Sequence, residues 1–423
     1  MEICIIGGGM AGICSAKHAL DHGLKVTVFE KTGNLGGTWV YNDKSGTDEY
    51  GLDIHSSMYK SLHTNLPKET MTFPGYPYDF KEQETSFVSH FEISAYLNHY
   101  AEINGLPNIV KFHHNVIRVN PLRNKKWEIL VHDLVQDKYN SYTFDYVMVC
   151  NGHYFAPAFS KIEDIEDFKG RITHSHDYRD SSSFKDETVL VIGVGPSGMD
   201  LAFETSKVAK KVLVSHHLKE NLKSGFAQHV IQKPDCVRIR NGNYVEFVDG
   251  SEEYVSVILF CTGYEHLFPF LSVDTGITAR NNYVKPLYKH CINIRHPTMA
   301  FIGLPYIACV TLMMDIQVRF VLKYFSGLKQ LPSKEEMLED TRKDMESRRS
   351  RGLREKEAHL LGPVQGEYYE DLARTAEIKN IPAVVLKIYD DNRKNMLEDF
   401  LNFRKNLFKI YNDEEYEKIV SSK

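Results

Sequence analysis

The sequence predicts an α/β fold of two dinucleotide-binding, Rossmann-like domains, the second inserted into the first. The first observation is a pair of glycine-rich fingerprints, GxGxxG, each set in a strand–helix–strand pattern, at residues 2–31 and 187–217. The second is the apolar segment PTMAFIGLP (297–305), which is typical of a strand and follows the second unit. We therefore expect a first domain and an inserted second domain, formed by residues 1–185 with 286–423 and by residues 186–285.

Length, charge and cysteine usage narrow the class of protein. The 423 residues suffice for two domains. The net charge is −5 and the sequence has no long basic run, so it does not indicate a nucleic-acid-binding surface. The seven cysteines show no CxxC or Cys/His spacing, so we expect neither disulfides nor a metal site. No apolar run reaches the roughly 18 residues of a transmembrane helix. We expect a cytoplasmic protein, or a secreted one if a signal peptide was removed. We expect its substrate to be a small molecule, and the protein could form a homo-oligomer.

The first fingerprint, EICIIGGGMAGICSAKHALDHGLKVTVFEK, contains every part of a dinucleotide-binding unit. Its apolar runs predict strands over 3–6 and 25–29, joined by a helix over 10–20. Glycines let backbone N–H groups approach a pyrophosphate at the helix N-terminus, and an acid after the second strand binds ribose hydroxyls. The alternative is a glycine-rich turn without a ligand. The candidate cofactor-binding residues are Gly7, Gly9, Met10, Ala11, Gly12, Glu30 and Lys31.

The second fingerprint, ETVLVIGVGPSGMDLAFETSKVAKKVLVSHH, repeats the pattern with one difference in charge. Its runs predict strands over 189–192 and 211–214 and a helix over 199–209. Counting 18 residues from the last glycine leads to Glu30 in the first unit but to His216 in the second. A carboxylate would repel a 2′-phosphate, so this unit favours NADPH, the alternative being solvated histidines. The candidates are Gly193, Gly195, Pro196, Ser197, Gly198, Met199, Ser215, His216 and His217.

Each unit is followed by a strand that ends in Cys, a polar residue and Gly. These segments are DYVMVCNGHY (145–154) and EYVSVILFCTGYE (253–265). Ligands of parallel α/β sheets lie beyond the carboxyl ends of the strands, so we expect both glycines near a dinucleotide. Later patterns predict a helix over 312–325, a charged and mostly helical stretch over 334–360 and an amphipathic helix over 370–415.

The order of these motifs is that of the class B flavin-dependent monooxygenases. The chain resembles the flavin-containing monooxygenases, most closely the shorter type found in insects, over nearly its whole length. The matching stretches are GGGMAG, GGTW (36–39), SLHTNLPKE (61–69), NGHY (151–154), FKGRITHSHDY (168–178), VGPSG (194–198) and CTGY (261–264). The resemblance implies FAD in the first domain and NADPH in the second.

The resemblance also implies an activity. In this family NADPH reduces FAD, O2 adds to the reduced flavin, and a flavin hydroperoxide passes oxygen to a soft nucleophile such as a tertiary amine nitrogen or a sulfide sulphur. Insect relatives imply N-oxidation of a xenobiotic or plant alkaloid. Asn65 matches the family's active-site asparagine, although on residues alone it is equally a turn cap. Further cofactor contacts are expected at Gly37, Thr38, Trp39, Thr64 and Gln317, with a core-only role as the alternative for Trp39.

The stretch 168–178 matches the family signature FxGxxxHxxxY. Its matching residues are Phe168, Gly170, His174 and Tyr178. We expect them to form a hinge between the domains, with hydrogen bonds from His174 and Tyr178 across the junction. The related Baeyer–Villiger enzymes end this signature in tryptophan, so Tyr178 favours heteroatom oxygenation over insertion next to a ketone.

Other functions are less compatible with these residues. Disulfide reductases with two dinucleotide units need a cysteine pair soon after the first fingerprint, and residues 31–60 contain none. An amine oxidase would not need the second fingerprint. An NADPH oxidase, a Baeyer–Villiger enzyme and a dinucleotide-dependent sensor without enzymatic activity stay as alternatives.

Overall fold

The described residues form two large sheets, one mixed and one parallel, each covered on both faces. The computed structural model describes residues 1–78, 85–220, 222 and 229–420. The first sheet has the order β18-β19-β20-β7-β1-β2-β3, parallel from β20 to β3 and antiparallel at its β18-β19-β20 edge. Its strands are β1 (Glu2–Ile6), β2 (Lys25–Phe29), β3 (Val110–Lys111), β7 (Tyr146–Val149), β18 (Leu287–Tyr288), β19 (Ile292–Asn293) and β20 (Met299–Phe301).

The second sheet is parallel throughout and has the order β11-β10-β9-β15-β8. Its strands are β8 (Arg171–His174), β9 (Thr188–Ile192), β10 (Lys211–Ser215), β11 (Val230–Lys233) and β15 (Val257–Phe260). The predicted α/β class with two dinucleotide-binding, Rossmann-like domains is confirmed.

One strand lies in a different sheet from the one expected. Residues 171–174 were assigned to the first domain, but β8 pairs with β15 from Arg171↔Val257 to His174↔Phe260. The signature stretch therefore enters the second sheet before the second fingerprint begins. An edge strand of four residues carries no periodicity that distinguishes it from a loop, which is why the sequence did not reveal it. The other domain boundaries stay a prediction.

Small antiparallel sheets cover one face of each large sheet. They comprise β4 (His114–Pro121) with β5 (Trp127–Asp133) and β6 (Lys138–Phe144), β12 (Cys236–Arg240) with β13 (Tyr244–Phe247) and β14 (Glu252–Tyr254), and the hairpin of β16 (Thr278–Arg280) with β17 (Tyr283–Lys285). A second hairpin, β21 (Asn406–Ile410) with β22 (Tyr416–Val420), contributes Phe408 to the core on the helix side of the first sheet. Cys4 and Ile6 of β1 pack toward Trp127 of β5, whereas Ile3 and Ile5 face the helices. This alternation is what a parallel strand buried on both faces requires.

The helices cover the opposite faces. They are α1 (Met10–Asp21), α2 (His90–Ile103), α3 (Pro196–Ser206), α4 (Val310–Phe325), α5 (Lys334–Ser350), α6 (Gln365–Ala376) and α7 (Ala383–Glu398). Helix α3 packs on the second sheet, whereas α1, α2, α4, α6 and α7 contribute to the core on the first sheet. None of these helices has the length and apolar character needed to cross a bilayer.

The C-terminal region differs from the single amphipathic helix predicted over 370–415. The chain leaves α6 at Glu377, which adopts φ 54°, and Pro382 then precedes α7. The last described residues form the hairpin of β21 and β22. The apolar residues of the hairpin fit a helical period as well as a strand period, so the pattern alone did not separate the two.

Candidate functional site

The first fingerprint closes into a tight turn that only glycine permits. Gly7 has φ +103°, and a Cβ there would lie 2.6 Å from the carbonyl oxygen of Cys150 at the end of β7. A Cβ on Gly12 would lie 1.9 Å from the carbonyl oxygen of Gly7. These contacts bring β1, α1 and the NGHY segment together at the carboxyl edge of the first sheet, where a ligand of such a sheet binds.

The N-terminus of α1 is open to an anion. Its Ncap residue is Gly9, which has no side chain to cap the first turn, whereas Ser89 and Ser333 begin α2 and α5 with complete capping boxes. The GGTW turn lies against this end: Gly36 N donates to Gly8 O at 3.0 Å, and a Cβ on Gly37 would lie 2.9 Å from the Gly9 Cα. Free N–H groups beside a glycine surface form a cradle for a pyrophosphate.

Glu30 lies at the end of β2, as expected for the ribose-binding acid. One carboxylate oxygen accepts from Gly8 N at 2.6 Å, and the other accepts from the amide and the hydroxyl of Thr32, each at 2.8 Å. The side chain is buried. These bonds fix the carboxylate next to the glycine turn while lone pairs remain for ribose hydroxyls.

The second fingerprint repeats this geometry and forms a second cradle at the N-terminus of α3. Gly193 has φ +102°, and its Cβ would lie 2.6 Å from the carbonyl oxygen of Cys261 at the end of β15. A Cβ on Gly198 would lie 2.0 Å from the Gly193 carbonyl oxygen, whereas a Cβ on Gly195, the Ncap of α3, would meet no described atom within 4 Å. The CTGY segment thus takes the place that NGHY takes in the first unit, which confirms the expected correspondence.

The structure separates the two histidines that were expected to bind a 2′-phosphate. His216 is buried, its Nδ1 accepts from Leu218 N at 3.3 Å, and its Nε2 lies 3.0 Å from Gln232 Oε1. Both ring nitrogens are therefore used within the protein, and a direct phosphate contact of His216 is not supported. Ser215 is likewise bonded to Pro234 O and Cys236 N. By contrast, the side chain of His217 is 81% exposed, and its Nδ1 lies 4.0 Å from Asp235 Oδ1, so of the two histidines only His217 is left as a candidate.

Asn65 lies in a loop whose backbone is held by several hydrogen bonds, whereas the Asn65 side chain is not. Thr64 exchanges two hydrogen bonds with Val88, N to O at 2.8 Å and Oγ1 from N at 3.2 Å. Asn392 of α7 donates to the Asn65 carbonyl at 2.8 Å, and Arg404 Nε donates to the Thr64 carbonyl at 3.0 Å. The amide group of Asn65 has no hydrogen-bond partner among the described residues. A fixed backbone with an amide group that has no described partner leaves that group available for a ligand, and the predicted role of Asn65 stays a prediction.

Several other candidates are placed less directly. Thr64 is buried and its hydroxyl already accepts from Val88, so it supports the loop. Trp39 is half-buried against the core of the first sheet, and Lys31 donates to Asp53 O at 3.2 Å. Burial lowers the pKa of Lys31. The remaining candidates lie at the two helix N-termini or in the GGTW turn. Met10 and Ala11 begin α1, Thr38 lies in the turn beside it, and Pro196, Ser197 and Met199 lie in the first turn of α3.

Gln317 does not face an open site. The residue is fully buried in α4, accepts from Gly303 N at 2.9 Å and donates to the Tyr368 hydroxyl at 2.8 Å. Its position argues against the predicted cofactor contact, because both ends of the amide already hold protein groups. The start of α4 does lie beside the first cradle, where the Thr311 hydroxyl contacts Met10 Sδ at 3.2 Å.

The signature residues link the domains through packing. A Cβ on Gly170 would lie 2.3 Å from Ser256 O and 2.5 Å from the Phe168 ring, which explains the glycine. His174 is 1% exposed and accepts from His176 N at 3.1 Å, and burial lowers its pKa to about 4. Tyr178 packs edge-on against Tyr59, with 5.5 Å between ring centroids. The hydrogen bond between His174 and His176 is local, and the contact of Tyr178 with Tyr59 is a ring contact, so the predicted hydrogen bonds across the junction stay a prediction.

Arg179 fastens the signature stretch to the segment 42–56, and the sequence did not indicate this role. Arg179 follows the signature and donates to the carbonyl oxygens of Asn42, Lys44 and Ser56, at 2.6, 2.9 and 3.2 Å. It also donates to the His176 carbonyl at 2.7 Å. One arginine after a motif carries no signal in a sequence, because its partners at Asn42, Lys44 and Ser56 lie more than 120 residues away.

The described residues contain one group with metal-ligand chemistry, Cys14, His18 and Asp315. Its carboxylate already accepts from His18 Nε2 at 2.8 Å and from Arg319 Nε at 2.7 Å. A metal ion would have to displace the arginine from a buried acid. We therefore assign this group to the packing of α1 against α4.

The two cradles fit two dinucleotides of different charge. The first combines an open helix N-terminus with the acid of Glu30, which suits the unphosphorylated ribose of FAD. The second has His216 in place of the acid and exposes His217, whose imidazole lies 4.0 Å from the Asp235 carboxylate; a histidine in place of the acid suits the 2′-phosphate of NADPH better than a second glutamate would. Bound FAD supplies the redox chemistry, accepting electrons from NADPH and activating O2. The protein positions the cofactors and the substrate and controls hydrogen bonding around them.

Comparisons with known proteins agree with this site. A family model described as FMO-like, flavin-binding monooxygenase-like, matches residues 1–224 and 217–400. The chain is 34% identical over 426 residues to senecionine N-oxygenase of Tyria jacobaeae, covering 99% of this chain and 91% of that protein. It is also 34% identical over 394 residues to flavin-containing monooxygenase FMO GS-OX4 of Arabidopsis thaliana, covering 88% and 84%.

Solved structures give the same result. S-allyl-L-cysteine S-oxygenase of Allium sativum superposes with a TM-score of 0.89 at 31% identity, covering 95% of this chain and 94% of that one. Tmm from Pelagibacter sp. strain HTCC7211 superposes with a TM-score of 0.86 at 29% identity, covering 96% and 94%. The chain belongs to the flavin-binding monooxygenase-like family and is a FAD-dependent NADPH monooxygenase.

Proposed function

We propose that the protein oxygenates a soft nucleophilic heteroatom, a tertiary amine nitrogen or a sulfide sulphur, with NADPH and O2, and that its substrate is a xenobiotic or a plant alkaloid. The names of two relatives support this range of chemistry, since one is an N-oxygenase of senecionine and the other an S-oxygenase of S-allyl-L-cysteine. N-oxidation is favoured because the N-oxygenase resembles the chain over 99% of its length.

The observation that carries this proposal is the free amide of Asn65. The loop around it is held by Val88, Asn392 and Arg404, so the amide can keep one position relative to a bound ligand. A neutral amide donates a hydrogen bond but has no acidic proton to release. Such a group steadies activated oxygen without protonating it, which favours transfer to the substrate over release of hydrogen peroxide.

The roles of the two domains follow from their cradles. We assign FAD to the domain of residues 1–185 and 286–423 and NADPH to the insert, with β8 moved to the second sheet. The signature stretch acts as the hinge between them, because Tyr178 packs on Tyr59 and Arg179 holds the carbonyl groups of residues 42–56. This hinge sets the nicotinamide against the flavin.

A substrate screen tests the proposal. The purified protein is incubated with NADPH and air in the presence of a tertiary amine, a thioether or a ketone, and products are identified by mass spectrometry. We expect an N-oxide or S-oxide and no ester from the ketone. An ester would favour the Baeyer–Villiger alternative, NADPH consumption with only peroxide an oxidase, and no NADPH consumption a sensor.

A further inference from the structure

We propose that Asp200 and Arg404 are positioning residues, and that their ion pair couples NADPH binding to the placement of Asn65. The inference rests on the proposed function, because it assigns a means of control to the same oxygenation site. Asp200 and Arg404 form an ion pair, Arg404 also binds the backbone of the Asn65 loop, and Asp200 lies on α3, the helix that begins at the second cradle.

The pair is a two-pronged ion pair across the domains. Arg404 Nη1 donates to Asp200 Oδ1 at 2.9 Å, and Nη2 donates to Oδ2 at 2.8 Å. The side chains are only 26% and 15% exposed. The Tyr59 hydroxyl also donates to Asp200 Oδ2, at 2.7 Å. Two parallel hydrogen bonds between a guanidinium and a carboxylate fix orientation as well as distance, and partial burial protects them from screening.

The same guanidinium holds the Asn65 loop. Arg404 Nε donates to the Thr64 carbonyl at 3.0 Å, directly before Asn65, and Nη2 lies 3.5 Å from the His63 carbonyl. The Arg404 guanidinium also lies 4.7 Å from the centre of the Phe403 ring. Every donor of this arginine that contacts the protein is thus directed either to Asp200 or to the backbone of this loop.

The other end of the pair lies on α3. Asp200 is five residues after Gly195, the Ncap of the second cradle, and Glu204 one turn later accepts from the Ser61 hydroxyl at 2.9 Å. Residues four apart share one face of a helix, so α3 presents a row of acceptors to the segment that leads to Asn65. A helix moves as a unit, so a shift of its N-terminus on binding a pyrophosphate reaches Thr64 through Asp200 and Arg404.

The coupling decides the fate of oxygen. With substrate, NADPH, a proton and O2 give NADP⁺, water and the substrate oxide. Without transfer, the same NADPH, proton and O2 give NADP⁺ and hydrogen peroxide. A loop released from α3 leaves NADPH oxidation intact but places the Asn65 amide less well, so electrons pass to peroxide at the expense of the substrate oxide.

Hydrogen exchange and product yield together test this. The variants are Asp200→Asn and Arg404→Gln, and exchange is followed in peptides that cover residues 61–65, with and without NADP⁺. In the wild type NADP⁺ should slow exchange there; in the variants this protection should fall by about tenfold, which corresponds to about 1.4 kcal/mol, near the lower end of the range for one lost hydrogen bond to a charged group. The peroxide formed per NADPH should rise several-fold.

Controls separate positioning from general stability. Arg351→Gln removes another two-pronged pair, to Glu367 at 2.8 and 3.4 Å, which lies away from the loop, and should change neither readout. Arg404→Lys keeps the charge but not the fork and should not restore protection. If Arg404→Gln folds poorly, Tyr59→Phe removes one hydrogen bond of Asp200 and should give the same effects at smaller size.

Two results would overturn the inference: unchanged protection of 61–65 by NADP⁺ in Asp200→Asn, Arg404→Gln and Tyr59→Phe, or an equal effect of Arg351→Gln. Failure of the proposed function is a separate outcome. It would show as a wild type that forms no oxide from any amine or sulfide, and the exchange experiment still measures the coupling in that case.

Discussion

Glu30 and His216 occupy the same position in the two dinucleotide-binding units. Gly7 N donates to Phe29 O at 2.9 Å, and Gly193 N donates to Ser215 O at the same distance, so the next residue of each strand aligns. In the first unit this residue is an acid bonded to the glycine turn, and in the second it is a buried imidazole bonded to Leu218 of its own loop and to Gln232 of β11. We therefore propose that the contact with a 2′-phosphate is made by the residue that follows, His217.

The first prediction concerns this cofactor preference. His217→Asp places a negative charge where the phosphate is expected, and we predict a KM for NADPH raised by roughly tenfold with the KM for NADH unchanged. His216→Asn breaks buried hydrogen bonds, so it should lower the melting temperature without changing the NADPH-to-NADH ratio. Steady-state kinetics with both nucleotides check this, and an unchanged ratio in His217→Asp would return His217 to a solvated role.

The second prediction separates ligand space from protein space in the second cradle. Gly195→Ala meets no described atom within 4 Å, so its melting temperature should stay within a few degrees while the KM for NADPH rises. Gly198→Ala would place a Cβ 2.0 Å from the Gly193 carbonyl oxygen and should destabilise the fold. Thermal unfolding and NADP⁺ titration measure the two effects. A Gly195→Ala protein with normal NADPH kinetics would show that the pyrophosphate lies elsewhere.

The third prediction tests Asn65. Asn65→Ala removes the free amide but none of the bonds that hold the loop, so the flavin absorbance should be retained. Formation of the oxide should fall by about a hundredfold, as for loss of one hydrogen-bond donor at a developing charge. The exposed Asn402 supplies the control, and Asn402→Ala should keep its activity. Full oxygenation by Asn65→Ala would remove this residue from the catalytic site.

The fourth prediction is a pH dependence of stability. Burial lowers the pKa of His174 to about 4, below the roughly 6.5 of an unfolded chain, so between these values the unfolded state binds more protons. Stability should therefore be complete above about pH 6.5 and be lost as the pH falls toward 4, by up to about 3 kcal/mol. His174→Asn should flatten the pH dependence of the free energy of unfolding, whereas His217→Asn should not. Parallel curves for all three proteins would contradict this account.

Much of the fold and part of the site could be predicted from the sequence. Strands and helices that begin each fingerprint were identified because glycine spacing and apolar runs are local. Contacts made far along the chain were not, such as Arg404 with Asp200, which are separated by 204 residues. The burial of His216 also escaped, because its partner Gln232 lies on a neighbouring strand. Functional residues can be predicted from the sequence where the backbone geometry requires one residue type, as at the fingerprint glycines. They cannot be predicted where a side chain contacts a partner that is distant in the sequence.

The most direct measurement uses isotopically labelled oxygen. The flavin-loaded protein is given NADPH, a tertiary amine or a thioether, and ¹⁸O2 in ordinary water, and the product is weighed by mass spectrometry. The account predicts one ¹⁸O atom in each molecule of oxide, with one NADPH consumed. An oxide without ¹⁸O, or NADPH consumption that yields no oxide from either class of substrate, would contradict it.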